Sequence, residues 1–201
     1  VAITSVFLTG KNGEKIPLTQ SSPDELKPSK TPSPGLYGIE IEYTKGGAAK
    51  SERQPDAVKI VDSFKKDFVF GVVSDVHFGD TRIKAKNSSL DPAATFKKEI
   101  DILNSRGVEF CLCCGDLCFI PPKTKNEILD YAETLYTNAA FPVFTVPGNH
   151  DGYSTGAAGR VQYDTFAQWD KYFGPKYFSA QYGDITLIGI NTFEKEPLDR
   201  N

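Results

Sequence analysis

The chain has only two histidines, and both sit among oxygen ligands: Ser74-Asp75-Val76-His77 and Gly148-Asn149-His150-Asp151, with Gly115-Asp116-Leu117 between them. Two Asp, a His and an Asn form a mixed hard and borderline ligand set. Such a set suits Mn, Fe or Zn better than it suits a thiolate-selecting metal. A bridging carboxylate would let two ions share it. Each residue also has an ordinary reading: an aspartate after a strand caps helices and turns, and an asparagine beside a glycine takes a left-handed turn. The shared setting of the three clusters favours ligands.

That setting comes from the elements around them. Phe68 to Ser74, Phe110 to Cys114 and Phe141 to Val146 are short continuous apolar runs of the kind that become buried strands. Each ends at one of the three clusters. The steps from Asp75 to Asp116 and from Asp116 to Asn149 each leave room for one helix and two loops, as parallel neighbours require. The first helix has Asp91 as its cap, Pro92 at its first position, Phe96, Ile100 and Leu103 on one face, and Gly107 as its stop. The second opens with Thr124 and Glu127 as a capping box and carries Ile128, Ala132 and Leu135 at helical spacing. A third, shorter helix runs after Asp164 through Phe166 and Trp169 to Gly174. Tyr177 to Tyr182 and Ile185 to Ile190 then form a strand pair turned at Gly183-Asp184. Strands alternating with helices predict an α/β domain with a largely parallel sheet, whose carboxyl edge gathers the three clusters in one crevice.

Residues 1–65 have a different texture. Ile3 to Leu8, a Lys11-Asn12-Gly13 turn, and Leu36 to Tyr43, where Ile39, Ile41 and Tyr43 alternate with Glu40 and Glu42, predict a half-buried antiparallel sheet. Thr19 to Gly35 and Gly46 to Lys50, rich in Pro, Ser, Lys and Gly, are expected to be exposed loops. The domains are therefore placed at 1–65, a small β-rich domain, and 66–201.

Composition narrows the partners. A net charge of −3 gives no general attraction to a nucleic-acid backbone. The pairs Lys65-Lys66 and Lys97-Lys98 are interleaved with acids and have no aromatic stripe beside them, so they are solvated surface. No stretch approaches the roughly 20 apolar residues that span a bilayer. Cys111, Cys113, Cys114 and Cys118 crowd into one run. On a strand Cys111 and Cys113 face one way and Cys114 the other, so they serve as small hydrophobes better than as a thiolate site; Cys118 falls near the rim of the Asp116 cluster. The chain starts at Val1 and contains no Met, which implies that its natural start has been removed.

Asp75-Val76-His77, Gly115-Asp116 and Gly148-Asn149-His150-Asp151 resemble, in order, the first three motifs of the calcineurin-like metallophosphoesterases. That family's pattern is Asp-x-His, Gly-Asp, Gly-Asn-His-Asp/Glu, then a separate His and a Gly-His-x-His. The resemblance implies Asp75 and His77 on a first metal ion, Asp116 bridging, and Asn149 on a second. His150 would then be free for proton transfer, with Asp151 orienting it. It further implies two ions drawn from Fe, Mn or Zn, a small phosphate mono- or diester as substrate, attack by a metal-bridging hydroxide, and protonation of the leaving alkoxide by His150. The implied fold is a four-layer α/β/β/α sandwich, with this chain supplying the first half. Tyr177-Phe178-Ser179, Tyr182-Gly183-Asp184 and Asn191-Thr192 resemble the mid-domain strand pair of the purple-acid-phosphatase-like and cyclic-nucleotide-phosphodiesterase-like branch. Gly35-Leu36-Tyr37 ahead of the catalytic domain resembles exported members, which implies an exported or cell-surface protein.

The chain departs from the pattern in lacking the later His and the Gly-His-x-His. The expectation is that it is part of a longer enzyme whose remaining half of the domain completes the metal site. One alternative is a non-catalytic metal-binding or interaction module on a degenerate phosphoesterase scaffold. Another is a nuclease of the same superfamily, which would need a basic groove.

Overall fold

The computed structural model describes residues 1–80, 82, 91–119, 127–155, 161–163 and 166–193. It divides into two compact units, Val1–Lys65 with Ala140–Pro142, and Lys66–Ala139 with Val143–Asn201.

In the first unit, β1 (Ala2–Gly10), β2 (Lys15–Ser22), β3 (Glu25–Pro28), β4 (Gly35–Lys45) and β5 (Ala48–Ile60) form one antiparallel sheet in the order β3-β2-β1-β4-β5. The β1–β2 turn closes on Asn12, whose Oδ1 accepts from the Glu14 amide at 3.0 Å, a local bond of the kind that makes Asn a turn residue. Leu8, Ile16 and Tyr37 are buried together, with Leu18, Ile39, Val58 and Ile60 packed against them. Two expected loops are partly sheet. Residues in Thr19 to Gly35 complete β2 and form β3, and Ala48 to Lys50 open β5, leaving only Gly46 and Gly47 in the turn. Apolar alternation signals a strand only where one face is buried, and beyond Leu18 every residue of β2 and β3 is exposed. Pro28 fits there because β3 is an edge strand, where a missing N–H breaks no ladder.

In the second unit, β6 (Gly71–Val73), β7 (Cys111–Cys113) and β8 (Val143–Thr145) form a three-stranded parallel sheet in that order. The connections carry α1 (Pro92–Ser105) and α2 (Glu127–Asn138). Helix α1 begins after Asp91, though the Asp91 side chain makes no cap bond, and it ends before Gly107 at φ +61°, the left-handed stop expected there. Thr124, the proposed cap of α2, lies outside the described residues. Phe96 of α1 stacks on Tyr131 of α2 at 4.5 Å, and Phe78 meets both rings edge-on. α3 (Ala167–Tyr172) adds fully buried Trp169, with Phe173 at 4.7 Å from it and 5.7 Å from Tyr131; Asp164, ahead of it, lies outside the described residues. Burial of these rings is the main stabilising term for this layer, at about 25 cal/mol per Å² of apolar surface.

The strand alternation splits the sheet into two faces. Gly71, Cys111, Cys113, Val143 and Thr145 are buried, whereas Val72, Leu112, Phe144 and Cys114 are half-buried or exposed. Over this second face lies the antiparallel hairpin β11 (Phe178–Tyr182) and β12 (Ile185–Gly189). Phe178 stacks on Phe144 at 5.6 Å, and Tyr182 packs on Phe68 and Phe110. The hairpin leaves much of the layer open: Phe70 is 49% exposed, Val72 59%, Ile188 71% and Ile190 60%. A short hairpin of β9 (Tyr153–Thr155) and β10 (Val161–Tyr163), absent from the sequence reading, follows the third cluster.

Candidate metal centre

The ladder between β6 and β7 does not stop where the strands do. Beyond Val73 and Cys113 the two loops stay joined: Asp75 N–H donates to Gly115 O, His77 N–H to Asp116 O, and Phe78 N–H to Leu117 O, at 3.1, 3.1 and 2.8 Å. Phe78 and Cys118 form an isolated parallel bridge. The first two clusters are therefore held side by side by main chain, whatever their side chains do. The third is brought in by glycine. A Cβ on Gly148 would lie 2.1 Å from Asp116 Oδ1 and 2.4 Å from Asp116 N, and one on Gly115 would lie 2.6 Å from Gly148 N. Only two residues without side chains let these loops touch. The contact is sealed by the His150 amide, which donates to Asp116 Oδ1 at 3.0 Å.

Asp75, His77 and Asp116 have φ of 54°, 50° and 51°. Among the described residues only Asp56 and Phe166 share this left-handed region without being glycine. Each such residue costs of order 1 kcal/mol and persists where the surroundings over-determine it, which is typical of functional sites.

His77 Nε2 lies 3.7 Å and His150 Nε2 4.0 Å from Asp116 Oδ2. One ligand atom from each of the three residues falls within 4.8 Å of the others. The two imidazoles stack at 4.5 Å between centroids. His77 Nε2 is buried and makes no hydrogen bond to any described residue, and a buried polar atom left unmade costs about 1–3 kcal/mol. A cation between these atoms would satisfy it. Burial lowers the pKa of His150, with Asp116 opposing that shift and His77 and Arg82 adding to it. The imidazole is thus neutral at neutral pH, the form that ligates metals and accepts protons.

A family model described as calcineurin-like phosphoesterase matches residues 68–199. The chain belongs to this family. Among solved structures it is similar to a purple acid phosphatase isolated from yellow lupin (Lupinus luteus) seeds, at 13% identity and a TM-score of 0.46, over 92% of this chain and 39% of that one. The chain thus spans about two fifths of that structure. No curated protein matches the chain. The mixed α/β layering is that of a metallophosphoesterase, a family that generally uses divalent metal ions.

His77 and Asp116 converge, and His150, read from sequence as a proton-transfer group outside the metal shell, brings its ring nitrogen into the same group. Asp75 is exposed and accepts from its neighbour, the Ser74 hydroxyl. Asn149 is exposed at the head of the 3-10 turn His150–Gly152. No cysteine joins the group among the described residues: Cys111 and Cys113 are buried and Cys114 is exposed, as strand alternation requires, and Cys118 is buried.

Asp151, read from the sequence as orienting His150, lies where the loops of the second and third clusters meet. Its carboxylate is fully buried and takes all its hydrogen bonds from backbone: Oδ2 accepts from Gly148 at 2.9 Å and from Leu117 at 3.3 Å, and Oδ1 accepts from Cys118 at 3.0 Å. It fastens the second cluster to the third and orients His150 only through that backbone. Burial pushes its pKa up to about 7, against the pull of the three amides. Two further residues escaped the sequence reading. Phe119 lies 6.1 Å from both imidazoles, and Arg82 lies over the Phe119 ring. Neither belongs to a ligand motif, so residue type gave no signal for them.

Proposed function

We propose that this chain carries the first part of a dinuclear phosphoesterase site that hydrolyses phosphate mono- or diesters. The observation that carries the reading is the buried, unpartnered His77 Nε2 aimed at the Asp116 carboxylate, with strained backbone under both residues. His77 and Asp116 would hold metal, with Asp75 and Asn149 supplying further oxygens from the same sheet edge. Ions bound there would supply Lewis acidity, acidify water and neutralise phosphoryl charge. His150 moves the proton. Neutral at rest, it accepts a proton from the attacking water and returns it to the leaving oxygen. Asp151 holds His150 and Asp116 in register through the loop amides.

The open apolar layer of Phe70, Val72, Ile188 and Ile190 supports a second element of the reading: further polypeptide of the same phosphoesterase domain packs there and completes the ligand set. The test uses the full-length natural protein. Metal content is measured by mass spectrometry, and hydrolysis of a chromogenic phosphate ester is followed for wild type, His77→Ala and His150→Ala. Two ions in wild type, metal loss in His77→Ala and a fall in turnover of about 10²-fold or more in His150→Ala support the reading. A wild type that binds metal without turnover on mono- or diesters would leave a binding module in its place.

A further inference from the structure

At the rim of the candidate metal centre a cation is held in a fixed pose for which the hydrolytic reading has no use. Asp80, 3% exposed, is anchored by its amide, which donates to His77 O at 2.9 Å. Its two carboxylate oxygens take the Arg82 guanidinium side-on, Nε donating to Oδ1 at 3.0 Å and Nη2 to Oδ2 at 2.9 Å, while the Arg82 amide also donates to Oδ1 at 2.9 Å. The guanidinium lies 4.2 Å over the Phe119 ring, and Phe119 in turn lies 6.1 Å from each of the two imidazoles. Two ring contacts therefore separate the guanidinium from the histidines.

A side-on pair with Asp80 uses one edge of the guanidinium. The edge formed by Nη1 and the second Nη2 proton is not used by Asp80, and the Arg82 side chain is 65% exposed. A planar fork with one edge pinned and a face stacked on an aromatic ring has lost most of its freedom before any ligand arrives, which favours two-point binding of an oxyanion. A phosphodiester has two non-bridging oxygens. A monoester has a third.

We propose that Arg82 is a specificity-determining residue that grips the free phosphoryl oxygens of the substrate, so that the site prefers phosphomonoesters. This rests on the phosphoesterase reading above and adds a substrate class to it. Asp80 and Phe119 are positioning residues that fix the guanidinium.

The test uses full-length, metal-loaded protein as wild type, Arg82→Ala and Arg82→Lys. Inorganic phosphate binding is measured by titration, steady-state kinetics are run on an aryl phosphomonoester and on its methyl diester, and metal content is checked. Arg82→Ala is expected to weaken phosphate binding and raise the monoester KM by about tenfold or more, with kcat changed by less than about threefold and metal content unchanged. Its effect on the diester KM is smaller. Arg82→Lys, which keeps the charge and loses the fork, falls between them and stands in if the Ala variant does not fold. If no variant or wild type turns over an ester but phosphate binding still falls with Arg82→Ala, the hydrolase reading fails and the anion site stands. Equal phosphate affinity in wild type and Arg82→Ala, equal loss on both esters, or no phosphate binding by wild type overturns the proposal.

Discussion

Replacing Asp151 with asparagine takes an acceptor away from the junction of two motif loops while leaving the shape of the side chain intact. In wild type three backbone N–H groups converge on the carboxylate: Gly148 and Leu117 on Oδ2, Cys118 on Oδ1. Asparagine has one oxygen. Placed at the Oδ2 position it keeps two bonds and turns its NH2 toward the Cys118 amide, donor against donor. One buried N–H is then left unmade, a cost of about 1–3 kcal/mol. Asp151→Ala leaves all three unmade and opens a small cavity, about 3–5 kcal/mol. Against a total stability of about 5–15 kcal/mol for such a domain, the alanine variant is close to unfolding.

The assay is urea unfolding of metal-free protein followed by the fluorescence of Trp169, the sole tryptophan and fully buried in the same unit. The pH matters. Burial holds the folded carboxyl near 7, above the ordinary value of about 4 that it has in the unfolded chain. Between those values the folded state binds more protons, so wild-type stability falls as pH rises through that window; the asparagine variant lacks that component. Above the window the ionised carboxylate carries the full cost of its burial, so the comparison is made near pH 5, where the folded side chain is protonated. A cost below about 1 kcal/mol for Asp151→Ala at pH 5 would refute the claim that this side chain fastens the loops.

Three further outcomes follow from the same geometry. Gly148→Ala brings a Cβ to 2.1 Å from Asp116 Oδ1, so it should cost about 2 kcal/mol or more and lower metal content, read by unfolding and by mass spectrometry. Stripping metal with a chelator should lower the thermal midpoint of the loaded protein by about 5–10 °C, because it leaves His77 Nε2 unpartnered again, whereas His77→Ala should show little further loss on chelation. Burial lowers the folded pKa of His150 below its unfolded value, so the unfolded state binds more protons as pH falls. Metal-free stability should therefore decline on acidification below about 6.5, and His150→Gln should flatten that decline in a denaturation series.

Residue type, spacing and period carried the α/β unit well, because its strands are buried on a face and its first helix opens and stops at residues that few others could replace. Pro92 and Gly107 bracket α1 where a proline and a left-handed glycine belong. The β-rich unit was less legible. β3 and the second half of β2 bury nothing, and a strand exposed on both faces has no alternation to betray it; its existence is decided by the neighbour it pairs with. The small hairpin β9–β10 escaped for a different reason, since three-residue strands are too short to show a period.

The site divides along the same line. His77, Asp116 and His150 were readable because ligand chemistry is written in residue type, but their arrangement is written in backbone. The left-handed conformation of Asp75, His77 and Asp116, the glycine contact that lets Gly148 lie against Asp116, and the amide shell around Asp151 all arise when two loops are forced together. No local propensity specifies that. Aspartate and histidine enter the left-handed region less willingly than glycine, so the fold holds them there against their preference. The unmade bond at His77 Nε2 adds to that cost. A cation between His77 and Asp116 would offset the second cost directly, and the first is tolerable only because main-chain bonds from Asp75, His77 and Phe78 clamp the loop from the other side. The arrangement of the candidate ligands is therefore set by the backbone. Removing a clamp such as Asp151 should weaken metal binding without touching a ligand.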